Sequence, residues 1–184
     1  MKKNRILFFS VTSFFIVALA LTIFGLAIYR FSKKGPLIQT IASVVPYPAA
    51  IVNGNVITYS KVFRIYQAYR TLVGDGFPAA AATMPTIINK LVDDALIQEY
   101  VHENQIQVSK DEFQQYASSL YEDLGIRQDL IDKRLKETLG MTRRDFEEAV
   151  ILPDLFRKKI GHEFVSKLLE QKHRNSRIYL LIKN

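Results

Sequence analysis

The stretch that most restricts the fold is Thr86 to Leu124. Ile87, Ile88, Leu91, Val92, Ala95 and Leu96 recur at intervals of three and four, and Ile97, Tyr100 and Val101 widen the apolar surface. That recurrence predicts a helix buried on more than one side. Asn104 to Val108 is too polar and broken to continue it, and Ser109-Lys110-Asp111-Glu112 opens a second helix. The Ser109 hydroxyl is placed to accept from the Glu112 N–H, and the Glu112 carboxylate to reach back to the Ser109 N–H. This is a capping box, with Val108 and Phe113 at the two positions of a hydrophobic staple. Phe113, Tyr116, Ala117, Leu120, Tyr121 and Leu124 mark one face, and Gly125 ends it. A corner this short predicts that the two helices pack on each other, with the rest of the soluble part as cover.

Upstream, Ala50-Ile51-Val52 and Val56-Ile57-Thr58 flank Asn53-Gly54-Asn55, a strong hairpin signal. Thr58 or Ser60 then caps a helix with Val62, Ile65, Tyr66, Tyr69, Leu72 and Val73 on one face, and Phe63 falls off that face. Gly74 to Pro78 is a loop, Ala79 to Ala82 a loop or a single helical turn, and Met84-Pro85 suits a helix start.

Downstream, Asp129 to Leu139 is a short helix with Ile131, Leu135 and Leu139 in register, ended by Gly140. Thr142-Arg143-Arg144-Asp145 repeats the capping device, with Met141 and Phe146 at the staple positions. One long helix follows, its stripe running through Phe146, Ala149, Val150, Phe156, Ile160, Phe164 and Leu168, with Val165 and Leu169 beside it. Pro153 inside it predicts a kink, because proline removes one backbone donor. Ile178 to Ile182 reads as a final strand, either closing the fold beside the hairpin or pairing with another chain.

Ahead of the domain, Ile6 to Tyr29 carries no charged side chain. At about 1.5 Å per residue it outspans a hydrocarbon core of roughly 30 Å, so it reads as a permanent transmembrane anchor. The competing reading is a cleaved signal peptide, with Gly25-Leu26-Ala27 as its small-x-small site. Residues 35–48, opening on Gly35-Pro36 after Lys33-Lys34, form a tether. The anchor also explains the net charge of +7. Lys2, Lys3, Arg5, Arg30, Lys33 and Lys34 are unopposed in residues 1–34, and the remainder is nearly balanced. The domain therefore has no basic face for nucleic acid. Equal numbers of basic residues on each side of the span leave its orientation tied by charge.

Covalent chemistry finds little support. There is no cysteine. His102, His162 and His173 are the only histidines, and His162-Glu163 lacks the second histidine of a zinc motif, since position 166 is Ser166. No nucleophile elbow or phosphate loop occurs. Asp93-Asp94, Glu147-Glu148 and Arg157-Lys158-Lys159 read as solvated faces, the last with a possible contact to anionic lipid heads. The expected sites are therefore catalytic none, metal none and cofactor none. Phe63, Phe77 and Met84, off the stripes or in a loop, are the candidate peptide-binding residues, since flexible apolar side chains at an open groove suit promiscuous binding.

Three stretches together resemble a known family: Ala50-Ile-Val-Asn-Gly-Asn-Val-Ile-Thr58 leading into a helix, Leu91 to Leu124 with its Val108 to Glu112 corner, and Gly140-Met-Thr-Arg-Arg-Asp-Phe146. In that order they resemble the N-terminal domain of the SurA/PpiD/PrsA group of bacterial extracytoplasmic folding factors, over about residues 49–170. The resemblance implies a mostly α fold of the SurA-N/trigger-factor type with a small β-hairpin, here behind an N-terminal transmembrane helix as in PpiD. It divides the chain into a cytoplasmic tip and anchor (1–34), a tether (35–48) and the helical domain (49–184). A parvulin isomerase domain usually follows in the family. Arg177 to Lys183 looks like its first strand, but the family's active-site histidine would fall on Tyr179. The resemblance thus implies a chaperone-like peptide-binding module and does not imply isomerase activity.

The expectation is a single-pass protein of the cytoplasmic (inner) membrane. Its domain lies on the extracytoplasmic side and binds unfolded or translocating polypeptides through an apolar groove, with no nucleic-acid or small-molecule partner. The alternatives are a truncated or accessory member of the prolyl isomerase family, and a structural adaptor docking one envelope partner.

Overall fold

A computed structural model describes residues 47–73, 80, 82–123, 125 and 127–182. The predicted span Ile6 to Tyr29, most of the tether, and Phe77 lie outside the described residues. Among the described residues, no helix is long and apolar enough to cross a membrane.

The hairpin forms as its sequence dictates. Strands β1 (Pro48–Val52) and β2 (Asn55–Thr58) pair antiparallel around Asn53-Gly54. Both turn residues have positive φ, 49° and 91°, the two-residue turn whose twist matches that of its strands. Helix α1 (Tyr59–Val73) follows at once, and the Thr58 hydroxyl caps it by accepting from the Lys61 N–H at 3.3 Å. Helix α2 (Met84–Glu103) opens on a Thr83 cap with proline in its first turn, as the sequence predicts. Its buried residues are Ile87, Ile88, Leu91, Val92, Leu96, Ile97 and Val101. Four of its neighbours are α1, the sheet and two later helices, α5 (143–160) and α6 (His162–Asn175), so it is the axis of the domain.

The corner after α2 carries the predicted capping box, with Glu112 N–H to Ser109 Oγ at 3.1 Å and Ser109 N–H to Glu112 Oε2 at 3.4 Å. Helix α3 (Lys110–Asp123) leaves it, burying Ala117 and Tyr121. The predicted pairing of the two helices is corrected: α3 rests on α5, whereas α2 packs on α1, α5 and α6. The physical reason is competition for one surface. Ile97 and Val101, near the end of α2, are covered by Val165, Ile106, Phe156, Ile160 and Leu169.

Helix α4 is a 3₁₀ turn, Gln128–Leu130, then Ile131–Arg134 and a π turn, Leu135–Leu139. Gly140 stops it with φ 64°. Helix α5 starts from the second capping box, on Thr142 and Asp145, and runs as Arg143–Phe146, a π turn Glu147–Ile151, and Leu152–Ile160. Pro153 falls just after that π turn. Its missing N–H is the one that would have met the Ala149 carbonyl, and Lys90 Nζ donates to that oxygen instead at 3.4 Å.

The single long helix predicted after Thr142 is interrupted. Gly161, at φ 96° and ψ 126°, separates α5 from α6 (His162–Asn175). The break resets the helical phase, so α6 buries Val165 and Leu168 while Phe164 turns outward beside the Tyr100 ring. Strand β3 (Ile178–Leu180) then pairs antiparallel with β1, giving a sheet in the order β2-β1-β3. Of its two predicted roles, it closes the fold beside the hairpin.

Two sets of charges read as solvated faces are ties between helices. Asp94 is nearly buried and faces both Lys90 and Arg157. Lys159 Nζ donates to Glu112 at 2.7 Å and to the Gln107 carbonyl, and Lys158 sits 5.0 Å over the Tyr116 ring. Arg157-Lys158-Lys159 thus helps hold α5 to α2, to the corner and to α3.

Candidate functional site

Phe63 and Met84 are both covered to differing degrees and not laid open on the surface. Phe63 is only 8% exposed, lying between the rings of Tyr59 and Tyr66 at 6.1 and 6.3 Å. Its place off the predicted stripe misled, because α1 buries a wider arc that holds Val62, Phe63, Ile65 and Ala68. Met84 is half-buried against the main core at the start of α2.

The large apolar side chains left most exposed lie elsewhere. Three of them belong to the sheet: Val56 at 55%, Tyr179 at 57% and Leu180 at 52%. Register explains the grouping. Val56 and Tyr179 both stand opposite Ile51, so the three form one row across the outer face. The opposite row, Ile57, Ala50 and Leu180, faces the helices, with Ala50 and Ile57 buried and Leu180 projecting at the rim. The sequence carried a signal for this: apolar residues are consecutive at Val56-Ile57 and from Ile178 to Ile182, so both faces of these strands carry apolar side chains. Which strand lay beside which was the missing information.

Besides its buried apolar face, the sheet is tied to the helices by the side chain of Asn53. Asn53 Nδ2 donates to Glu99 Oε2 at 2.7 Å and to Ser176 Oγ at 3.2 Å, and Asn53 Oδ1 accepts from the Arg177 N–H at 2.9 Å. The bond from Asn53 is the main reason the Glu99 carboxyl is held below its ordinary range. Lys172 adds to this from α6, at 3.1 Å from Glu99 and 2.8 Å from Glu103.

Among the described residues, two grooves between helices are lined by mixed polar and apolar side chains. One, between α3 and α5, is lined by Glu112, Gln115, Tyr116, Ser119, Leu155 and Lys158. Tyr116 donates to Asp154 there, and that bond raises its hydroxyl to about 12. Another, between α1 and α5, is bordered by Lys61, Arg64, Met141, Asp145 and Glu148. His173 pairs with Asp93 at 2.7 Å, and among the described residues no group of three or more histidines and carboxylates is arranged to hold a metal.

Fold and surface together define a helical interaction domain completed by a small antiparallel sheet that keeps apolar side chains in solvent. The family model for a SurA-like N-terminal domain matches residues 1–161, and the chain belongs to that family. That domain is the chaperone-like, non-catalytic part of these folding factors. The match takes in the apolar run Ile6 to Tyr29 and ends at Gly161, before α6 and β3. No curated protein and no solved structure matches the chain.

Proposed function

We propose that this chain is a membrane-anchored chaperone-like protein that holds unfolded or translocating polypeptides outside the cytoplasm. The observation that carries the reading is the family match over residues 1–161, which unites the apolar segment and the helical domain. Ile6 to Tyr29 supplies the single span of the inner membrane. The domain follows it on the extracytoplasmic side, a placement the balanced flanking charges permit.

Binding is by burial of apolar side chains with few fixed polar contacts. That favours breadth over affinity. Val56, Tyr179 and Leu180 supply the exposed surface. Phe77 and Met84 stay in the proposal as contact residues, Met84 at the start of α2, and Phe63 serves the core.

The test uses the full chain in lipid nanodiscs, mixed with a chemically unfolded protein whose aggregation is followed by light scattering. The proposal expects suppression at equimolar or lower amounts. A folded chain that leaves aggregation unchanged contradicts it, and capture of a single stoichiometric folded partner would then establish an adaptor.

A further inference from the structure

The sheet ends in an edge whose backbone groups are free to bond. Asn53 N–H donates to the Arg177 carbonyl and Leu181 N–H to the Ala49 carbonyl, each at 3.0 Å. In an antiparallel ladder, residues alternate between facing the partner strand and facing away. Arg177, Tyr179 and Leu181 therefore face β1, and Ile178 and Leu180 turn their N–H and C=O to the open side. Among the described residues no strand pairs with that side. Its side chains are apolar on both faces: Tyr179 on the outer face and Leu180 on the other, each more than half exposed.

We infer that this edge is where the domain takes its polypeptide clients, as an added strand beside β3. The inference rests on the chaperone reading and names the site and the bound conformation. A free N–H and C=O on alternate residues, at strand spacing, are matched by an extended peptide backbone. Tyr179 and Leu180 add that the segment is apolar on both faces. Such stretches are buried in a folded protein and exposed in an unfolded one. The edge is short, with two outward residues and so no more than four backbone bonds. Short contact of this kind gives weak, reversible capture that reads little sequence.

The position of the outward groups makes the idea testable without breaking the fold. Leu180→Pro removes an N–H that the β1–β3 ladder does not use, and it sets a ring against any incoming strand. The second arm alters only the ligand. A fluorescein-labelled peptide, Lys-Val-Tyr-Val-Leu-Val-Thr-Lys, is compared with the same peptide N-methylated at alternate amides. This keeps every side chain and removes the ladder donors.

Anisotropy is measured on the full chain in nanodiscs, and the denaturation midpoint of each variant is measured alongside. Strand addition predicts that N-methylation weakens binding about fivefold or more, the scale of one lost backbone bond, and that Leu180→Pro does the same at an unchanged midpoint. Equal affinity for the two peptides overturns the inference while leaving the chaperone reading standing. So does suppression of aggregation with no peptide binding. A Leu180→Pro chain that loses self-association but keeps peptide binding assigns the edge to a second copy and overturns it too. A chain that neither binds peptide nor suppresses aggregation overturns both.

Discussion

The side-chain amide of Asn53 donates to the carboxylate of Glu99 at 2.7 Å, joining the hairpin turn to the axial helix α2 across 46 residues of sequence. The same side chain accepts from the N–H of Arg177, at the start of the strand that completes the sheet. One residue thus links the beginning, the middle and the end of the domain.

Asn53→Gly isolates that link. Glycine adopts φ 49° without strain, so only the side-chain bonds are lost. The expected cost is about 1–2 kcal/mol, read from urea denaturation. Amide exchange at Arg177 to Leu181 should quicken more than exchange within α2. Uniform quickening would mean that Asn53 has no special hold on β3.

The Glu99 cluster predicts a dependence on pH. Asn53 first, then Lys172, holds the folded carboxyl below its ordinary value of 4.5. A folded value below the unfolded one contributes stability that is complete above the unfolded value. It is lost as pH falls through the folded value. Denaturation midpoints should therefore drop from about pH 5 downward, and Glu99→Gln should flatten that drop. On the alkaline side, burial lowers the Lys172 ammonium but its bonds to Glu103 and Glu99 prevail and raise it. Its contribution is complete below the ordinary lysine value and is lost as pH climbs through the raised one.

Asp94 stands between Lys90 and Arg157, both well covered. Removing the shared anion leaves two cations facing each other, whereas removing either cation leaves Asp94 still paired. Asp94→Asn should cost about 3 kcal/mol, and Lys90→Gln or Arg157→Gln about half as much or less. Thermal or urea melts of the three variants give the ranking. Equal losses would contradict a shared centre.

Tyr121 offers the opposite case. Its ring is buried beside Phe146 at 6.0 Å and under the Arg143 guanidinium at 5.7 Å, and among the described residues its hydroxyl has no hydrogen-bond partner of good geometry. Burial, then the Glu147 charge, pushes that hydroxyl up to about 12. Tyr121→Phe deletes the unpaired group and keeps the ring. It should be neutral or should stabilise by up to about 1 kcal/mol in a urea melt. A clear loss would mean that the hydroxyl is bonded in solution.

Local devices were legible in the sequence because each is written in a few adjacent residues. Asn53-Gly54 gave the turn, Ser109/Glu112 and Thr142/Asp145 the capping boxes, and the stripe from Ile87 to Val101 the buried helix. What depends on partners was not legible. The sequence does not say that α5 and α6 would cover the end of α2 and send α3 elsewhere, nor that Gly161 would rotate Phe164 outward. Phe63 was assigned to the surface because one stripe was assumed for α1, while neighbours on more than one side bury a broader arc. The exposed row Val56, Ile51 and Tyr179 spans three strands and exists only once β3 has found β1.

The central claim is preference for unfolded chains. Its most direct measurement is the affinity of the full chain, in nanodiscs, for a single labelled protein in two states: reduced and carboxymethylated lactalbumin against native lactalbumin. The account predicts binding to the unfolded form at least about tenfold tighter than to the native form, a difference of about 1.4 kcal/mol. Equal affinity for the two forms, or binding to the native form alone, contradicts it.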